Sequence, residues 1–566
     1  MNSTNFTLKF DYNYLKTSLL LFVLVLYSFQ IQAQISQGGK PASFDLDMPS
    51  EDEIIYSPYV PFVPTKSEIV SKQCTAYEFG KILPFNRKLS DPDFGKRYKD
   101  LKGNLVWKAT ISSENALALG LYFSNFHLPE GAKLFVYSAD KRQVIGAFTD
   151  FNNSHSGLFA TELIFGDKLI IEYFEPMAVA GQGQFTIDEV LHAYRGVSDL
   201  KDTNGFRGSG SCEVNVNCPE GINYGKQKNS VVRILVKEGS FSYWCTGSVV
   251  NNTNNDLKPY ILTADHCGSD ATTENLNQWI FYFNYQSTNC TTPTTEPVPQ
   301  SISGCTKIAA SSNAGILGSD FYLVLLNQSI PTDFNAYFMG WDRRGDISTT
   351  GTSIHHPEGD IKKISTYTTS LKSATYSSGG LTGFTNGSWE VVWSATVSGH
   401  GVTEGGSSGS PIYSQDGLLI GTLTGGWASC SALTAPDYYG KFNFHWDLNG
   451  TTLNTQLKPW LDPLNTGATY LSGTAVGVDE IEKSPTLFYH LFPNPSNGYF
   501  TLKFEETAIG KNFTLRVSNI LGQIVYTEKL TSSSQVNINM ANLKKGIYLV
   551  QIKGDNLQQT QRIIIQ

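Results

Sequence analysis

The chain has 566 residues, a length that sets a prior of about three or four domains. With 40% hydrophobic and 16% charged residues it has the composition of globular domains that bury real cores. A net charge of -8, with no strongly basic stretch, argues against a nucleic-acid partner. Gly, Ser, Thr, Asn, Phe and Tyr are abundant and long amphipathic helical patterns are scarce, which predicts an all-β chain.

The N-terminus carries Lys9 and Lys16, an apolar run from Leu19 to Tyr27, and then Ile31-Gln32-Ala33-Gln34. This order of charge, apolar core and small-residue site predicts a cleaved signal peptide over 1–33. The apolar core is too short for a membrane anchor, and no later segment is long and apolar enough to span a bilayer. Export permits disulfides. Of eight cysteines, Cys74 stands alone, and the other seven lie between Cys212 and Cys430. Seven is odd, so at least one is unpaired or pairs outside that group.

Residues 34 to about 100, Pro-rich and Asp-rich, read as an extended leader. From 104 to about 197, short apolar runs such as Leu117-Ala-Leu-Gly-Leu-Tyr-Phe and Lys168-Leu-Ile-Ile-Glu-Tyr alternate with turn residues. They predict a small β-sandwich with no catalytic constellation, sitting where a pro-domain would (34–207). A polar, glycine-rich linker follows over 198–211, with Lys201 and Arg207 as basic sites open to nicking. Residues 208–473 are strand-rich and carry the cysteines. A second linker spans 474–486, and the short strands of 487–566 predict another β-sandwich.

The chemistry concentrates between the two linkers. The run Gly405-Gly406-Ser407-Ser408-Gly409-Ser410-Pro411 puts serine hydroxyls on a glycine-rich turn, where backbone N–H groups can point at a substrate oxygen. Upstream, Tyr260-Ile-Leu-Thr-Ala-Asp-His-Cys267 ends an apolar strand on His266. A serine nucleophile with a histidine base is the core of acyl-transfer hydrolysis. The third member must be a buried acid. Asp320 opens the apolar strand Asp320-Phe-Tyr-Leu-Val-Leu-Leu326, whereas Asp265, adjacent to His266, would point to the other face. The turn also matches a G-x-S-x-G elbow centred on Ser407. An elbow needs a helix after it, and here Pro411-Ile-Tyr leads into another strand, so Ser408 is the expected nucleophile, with the N–H groups of Gly406 and Ser408 as oxyanion hole. The adjacent His355 and His356 do not converge on one ion and no H-E-x-x-H motif exists, so no metal or other cofactor is expected. Trp427 and Tyr438 line the substrate cleft or pack loops. Cys74 with Cys305 is a pair by arithmetic alone.

Residues 208 to about 473 resemble the secreted bacterial lysyl endopeptidases, a branch of the trypsin-like serine proteases. The matching stretches include Gly210-Ser-Cys-Glu-Val-Asn-Val-Asn-Cys-Pro-Glu-Gly221, Leu262-Thr-Ala-Asp-His-Cys267, Gly340-Trp-Asp-Arg-Arg344, Ile354-His-His-Pro357 and Gly401-Val-Thr-Glu-Gly-Gly-Ser-Ser-Gly-Ser-Pro-Ile-Tyr-Ser414. The resemblance implies a chymotrypsin-like double β-barrel with His266, Asp320 and Ser408 as its triad. It implies disulfides Cys212–Cys430, Cys218–Cys290 and Cys245–Cys267, with Cys305 left over. Trypsins place an Asp six residues before the serine; here that residue is Val402, and the acids left for a basic side chain are Glu404 and Asp437, of which the resemblance implies Asp437. Thr424 stands where the family often has a histidine, and Gly425 and Gly426 offer backbone to an extended substrate.

The tail resembles the Ig-like sorting domain of the type IX secretion pathway, through Phe492-Pro-Asn-Pro-Ser-Asn-Gly498, Leu521-Gly-Gln-Ile-Val525, Leu543-Lys-Lys-Gly-Ile-Tyr548 and the terminal Arg562-Ile-Ile-Ile. The expected partners are protein and peptide substrates, the chain's own propeptide and the type IX machinery, and the expected location is outside the cell or on its surface. The alternative class is a non-catalytic adhesin or binding protein on a protease-like fold.

Overall fold

A computed structural model describes residues 36–45, 55–58, 62, 76–197, 208–293, 295–298, 300–311, 317–476, 489–505, 508–519, 523–554 and 557–566. The signal segment 1–33, Cys74, the 198–207 part of the first linker with Lys201 and Arg207, and residues 477–488 lie outside them. Contacts divide the chain between Gly477 and Val478.

The first unit begins with a β-sandwich. One sheet holds the strands Leu105–Ser112, Lys133–Ser138, Val144–Phe148 and Lys168–Glu175. The facing layer is formed by Tyr77–Lys88, Gln184–Ala193 and Ala118–His127. Trp107, Phe123, Leu134, Phe159, Tyr173 and Phe185 meet between the two layers, the inward halves of strands whose side chains alternate by two. The leader reading of residues 34–100 is overturned: Ile55–Tyr56 and Lys96–Lys99 both pair with Leu105–Ser112 and Tyr77–Lys88 pairs with Gln184–Ala193, so the sandwich takes in strands well before 104. The Tyr77–Lys88 strand escapes a search for alternation because its first half is buried nearly throughout, while Pro84 and Asn86 (φ +52°) resemble turn chemistry. The register shifts beside Pro84, where the strand bulges.

The same strand joins the sandwich to the first of two barrels. One edge pairs with Gln184–Ala193 and the other with Phe241–Val250, in the register Tyr77↔Trp244 to Lys81↔Phe241. A 12-stranded sheet thus runs from the sandwich into the barrel. This first barrel comprises Val231–Glu238, Phe241–Val250, Tyr260–Thr263, Ile280–Phe283, Gln300–Ser303 continuing through Gly304 into Cys305–Ala310, and Tyr322–Leu326. Gly304 (φ +85°) bends its strand so that one end pairs with Ile280–Phe283 and the other with Tyr322–Leu326, which closes the cylinder.

The second barrel orders Lys363–Tyr367, Gly351–His355, Pro411–Tyr413, Leu419–Gly426, Asp437–Lys441 and Ser388–Val391. It closes where the Ser394 N–H donates to Thr366 O at 2.8 Å. Leu262, Leu323, Trp341, Ile354, Tyr413 and Phe442 pack the two barrels together. Thr474–Ala475 pairs with Tyr337–Phe338, so the expected second linker begins after these residues rather than at 474.

The second unit is a sandwich of a 3-stranded and a 4-stranded antiparallel sheet, closed over Tyr489, Phe500, Leu515, Val517, Val550 and Ile563. Among the described residues no helix is long and apolar enough to cross a membrane.

Candidate active site

His266 stands on the short 3-10 turn Asp265–Cys267, directly after the barrel strand Tyr260–Thr263. The Cys245–Cys267 disulfide ties that turn to the neighbouring strand Phe241–Val250. Asp320 comes from the start of a third segment, where its φ of +60° is left-handed, a conformation Asp tolerates better than most residues. Both its oxygens are used: Oδ1 accepts the His266 backbone N–H at 3.0 Å, and Oδ2 lies 2.7 Å from Nδ1. The carboxylate is 1% exposed and the imidazole 14%. Burial disfavours the imidazolium, but the Asp320 carboxylate overrides it and raises the His266 pKa.

Ser408 occupies the turn between the barrels. Its carbonyl accepts from the Thr246 N–H at 2.9 Å, on the strand that carries Cys245. Two glycines make the turn possible. Gly406 (φ +89°) lies so close to the loop 356–359 that an added Cβ would stand 2.9 Å from His356 O, and one on Gly409 (φ +79°) would stand 2.1 Å from Thr263 Oγ1. The N–H groups of Gly406 and Ser408 donate to no acceptor among the described residues. Nor does His266 Nε2 have a hydrogen-bond partner there. The serine and histidine share one wall without the Nε2–Oγ hydrogen bond, a looseness common before substrate arrives.

Ser407 points the other way. Its Oγ lies 2.8 Å from His355 Nδ1, whose Nε2 meets Ser365 Oγ at 2.9 Å. All three residues are fully buried, and burial pushes the His355 imidazole down to about 3. The elbow centred on Ser407 is therefore absent. His356 turns its Nδ1 to Asp360 O at 2.8 Å, so the two histidines serve separate contacts.

The two candidate specificity acids have different partners. Asp437 opens the strand Asp437–Lys441 opposite Gly426, and its Oδ2 accepts from Trp393 Nε1 and Thr403 Oγ1, both at 2.7 Å. The Ala428 N–H donates to Oδ1 at 3.2 Å. Burial pushes its pKa up to about 6, against the pull of those donors. Glu404, next in the chain to Thr403, instead accepts the Gly210 N–H at 2.8 Å. Val402 packs in the core of the second barrel. Thr424 is buried on Leu419–Gly426, whose last residues, Gly425 and Gly426, border Asp437. Trp427 is 42% exposed and clusters with Tyr376 and Tyr438 beside them. Sequence reasoning missed the roles of Trp393 and Thr403 and the Ser407–His355–Ser365 chain; Thr403, Ser407 and His355 stood inside quoted motifs, whereas Trp393 and Ser365 stood in none.

The disulfides Cys212–Cys430, Cys218–Cys290 and Cys245–Cys267 are all formed, and Cys305 is a free, buried thiol.

Two closed barrels with a histidine–aspartate pair and a glycine-rich serine turn at their junction define the chymotrypsin-like protease architecture. Residues 206–440 match the family model for the lysyl endopeptidase C-terminal domain, and residues 490–566 that for a secretion system C-terminal sorting domain, which marks the chain as secreted. A lysyl endopeptidase of Pseudomonas aeruginosa is 30% identical over 298 residues, 50% of this chain and 60% of that protein. The chain thus spans less than two thirds of that relative. A secreted RxLR effector protein 73 of Plasmopara viticola is 23% identical, covering 53% of this chain and 73% of that one. Among solved structures, the protease Anisep of Arthrobacter nicotinovorans aligns at 18% identity and TM-score 0.26, over 38% of this chain and 90% of its own. A Glu endopeptidase aligns at 15% and 0.26, over 42% and 94%.

Proposed function

We propose that the chain is the zymogen of a secreted serine endopeptidase that cuts after Lys, with Arg as a second choice. The observation that carries this reading is the Asp320–His266 pair facing a glycine turn that presents Ser408. Ser408 Oγ attacks the scissile carbonyl as His266 Nε2 takes its proton, and Asp320 holds the tautomer and the resulting imidazolium. The N–H groups of Gly406 and Ser408 stabilise the oxyanion. The protonated His266 then gives its proton to the leaving amine, and water attacks the acyl-enzyme by the same route in reverse. Asp437, already held by Trp393 and Thr403, pairs with the substrate ammonium, while Gly425 and Gly426 align the substrate backbone. Residues 34–207 form the propeptide, removed near Arg207, and the type IX machinery exports the chain by its tail.

Digestion of an unstructured protein by the activated enzyme, with peptide termini read by mass spectrometry, tests this. Termini almost all at Lys, absent for Ser408→Ala, are expected. The alanine variant should lose on the order of 10^6-fold in kcat, while Ser407→Ala, whose hydroxyl serves His355, stays within about tenfold of wild type. Cleavage retained by Ser408→Ala, or none by wild type, overturns the reading; the second outcome leaves a binding protein on a protease fold.

A further inference from the structure

His445 lies on the short helix Phe442–Asp447, directly after the second-barrel strand Asp437–Lys441. Its ring meets the segment that carries Asp320. Nδ1 lies 2.7 Å from Ser319 Oγ, and the ring centroid lies 5.4 Å from that of Phe321. The imidazole thus touches the residue on each side of Asp320 and leaves the carboxylate to His266. Asn449 holds Ser319 from a second direction. The Ser319 N–H donates to Asn449 Oδ1 at 2.9 Å, and Asn449 Nδ2 donates to Ser319 Oγ at 2.8 Å. On its far side His445 Nε2 meets Thr422 Oγ1 at 3.0 Å, and the ring also hydrogen-bonds to the Gly440 backbone. The fit has no slack: a Cβ added to Gly440 would stand 2.1 Å from Ser319 O and 2.8 Å from His445 Cε1.

Ser319, Asp320, Thr422, His445 and Asn449 are all buried. Burial pushes the His445 imidazole down to about 3, so the ring is neutral at neutral pH, with one nitrogen donating and the other accepting. Ser319 Oγ takes a hydrogen from Asn449, and only by giving its own to Nδ1 does that hydrogen find an acceptor among the described residues. The Nε2 hydrogen is then directed at Thr422. A fully satisfied buried chain of this kind fixes geometry. At one end it fixes the left-handed Asp320 (φ +60°), a conformation that persists where the surroundings over-determine it. At the other end it reaches the serine turn. Thr422 pairs with Pro411, and Leu423 accepts the Gly409 N–H and donates to Ser410 O, both at 2.9 Å. An apolar ring would fill the same space without the cost of burying two polar nitrogens.

Resting on the endopeptidase reading, we propose that His445 is a positioning residue: through Ser319 and Thr422 it sets the Asp320 carboxylate, and with it His266, against the turn that carries Ser408. The acid belongs to the first barrel and the serine to the second, so their relative placement depends on a pin between the barrels. His445 is that pin, and loosening either of its ends lets Asp320 drift from His266 Nδ1.

The test cuts the chain at three links with Ser319→Ala, His445→Leu and Thr422→Val; the last keeps its shape and serves should the others fold poorly. In the activated enzyme each should lower kcat by about tenfold or more while KM for a Lys peptide stays within about twofold. His445→Asn, whose amide still reaches Ser319, should recover part of the loss. The second readout is the His266 titration, followed by nitrogen resonances in histidine-labelled chain. Asp320, together with Asp265 and Glu238, raises it, so it should fall by about half a pH unit or more in each variant. A merely structural role would lower the thermal midpoint and leave that titration where it was. Unchanged kcat in Thr422→Val, or a lowered kcat with an unshifted His266 titration, overturns the proposal. An unmodified activated chain that cleaves no peptide overturns the endopeptidase reading instead, and the His266 titration still decides whether His445 holds the pair.

Discussion

Asp437 is the residue whose chemistry pH can expose. Burial raises its carboxyl to about 6, above the value of 3.8 for a free side chain, so if Asp437 reads the substrate ammonium as proposed, the pocket below that pH is neutral and offers no ion pair. In the proposed mechanism His266 must be neutral to act as base, so pH profiles for a Lys substrate combine both groups. The ratio of kcat/KM for a Lys substrate to that for an uncharged isostere cancels His266. It should rise roughly tenfold per pH unit up to about 6 and level above it, and Asp437→Asn should flatten it; a ratio independent of pH in the wild type would exclude Asp437 as the reader. For stability the sign reverses. The folded state holds a proton between pH 3.8 and about 6 that the unfolded state has released, so this group's contribution is present at low pH and falls away as pH rises through that window. At this scale the sequence was most legible where a motif and its neighbours agreed. His266 and Ser408 each sat in a short apolar or glycine-rich run, and Asp320 at the start of an apolar strand. The inward turn of Ser407 was not legible, because its partner His355 lies 52 residues away and forms part of an unrelated-looking histidine pair.

Among the elements, the loop that presents His266 depends on one covalent tie. The strand before it is short, and the 3-10 turn has no side-chain cap. Cys245 and Cys267 close a segment with a sequence separation of 22, for which loop closure is worth about 3 kcal/mol. Replacing both by Ser should lower the thermal midpoint accordingly, and should lower kcat more than it raises KM because the base loses its position; calorimetry with steady-state kinetics checks both. Strands of the barrels were readable from apolar runs bounded by turn residues. Tyr77–Lys88 was not, for a physical reason: an element buried on both faces between two domains carries no period of two to detect.

Under the proposed function, sorting and peptidase roles fall in separate units of the chain. The sorting sandwich has its own closed core and supplies none of the residues placed at the candidate site. A chain truncated after Ala475 should therefore keep its peptidase activity once processed, yet accumulate in the periplasm, as cell fractionation with a Lys-peptide assay would reveal; loss of activity in the truncated chain would contradict this division. The succession of a sandwich, two barrels and a second sandwich was visible from apolar runs and motifs. The continuity of the sandwich with the first barrel was not, since pairing between strands more than 150 residues apart leaves no local trace.

That first barrel also contains an internal gauge. Six of the seven cysteines from Cys212 onward are locked in bridges, and Cys305 is left 1% exposed against Leu276 O, its ionisation strongly suppressed by burial. A thiol so placed reacts only when the surrounding wall opens. Once the proposed propeptide is removed, the rate at which a maleimide captures that sulfur is thus a direct clock of barrel breathing, readable without any introduced label.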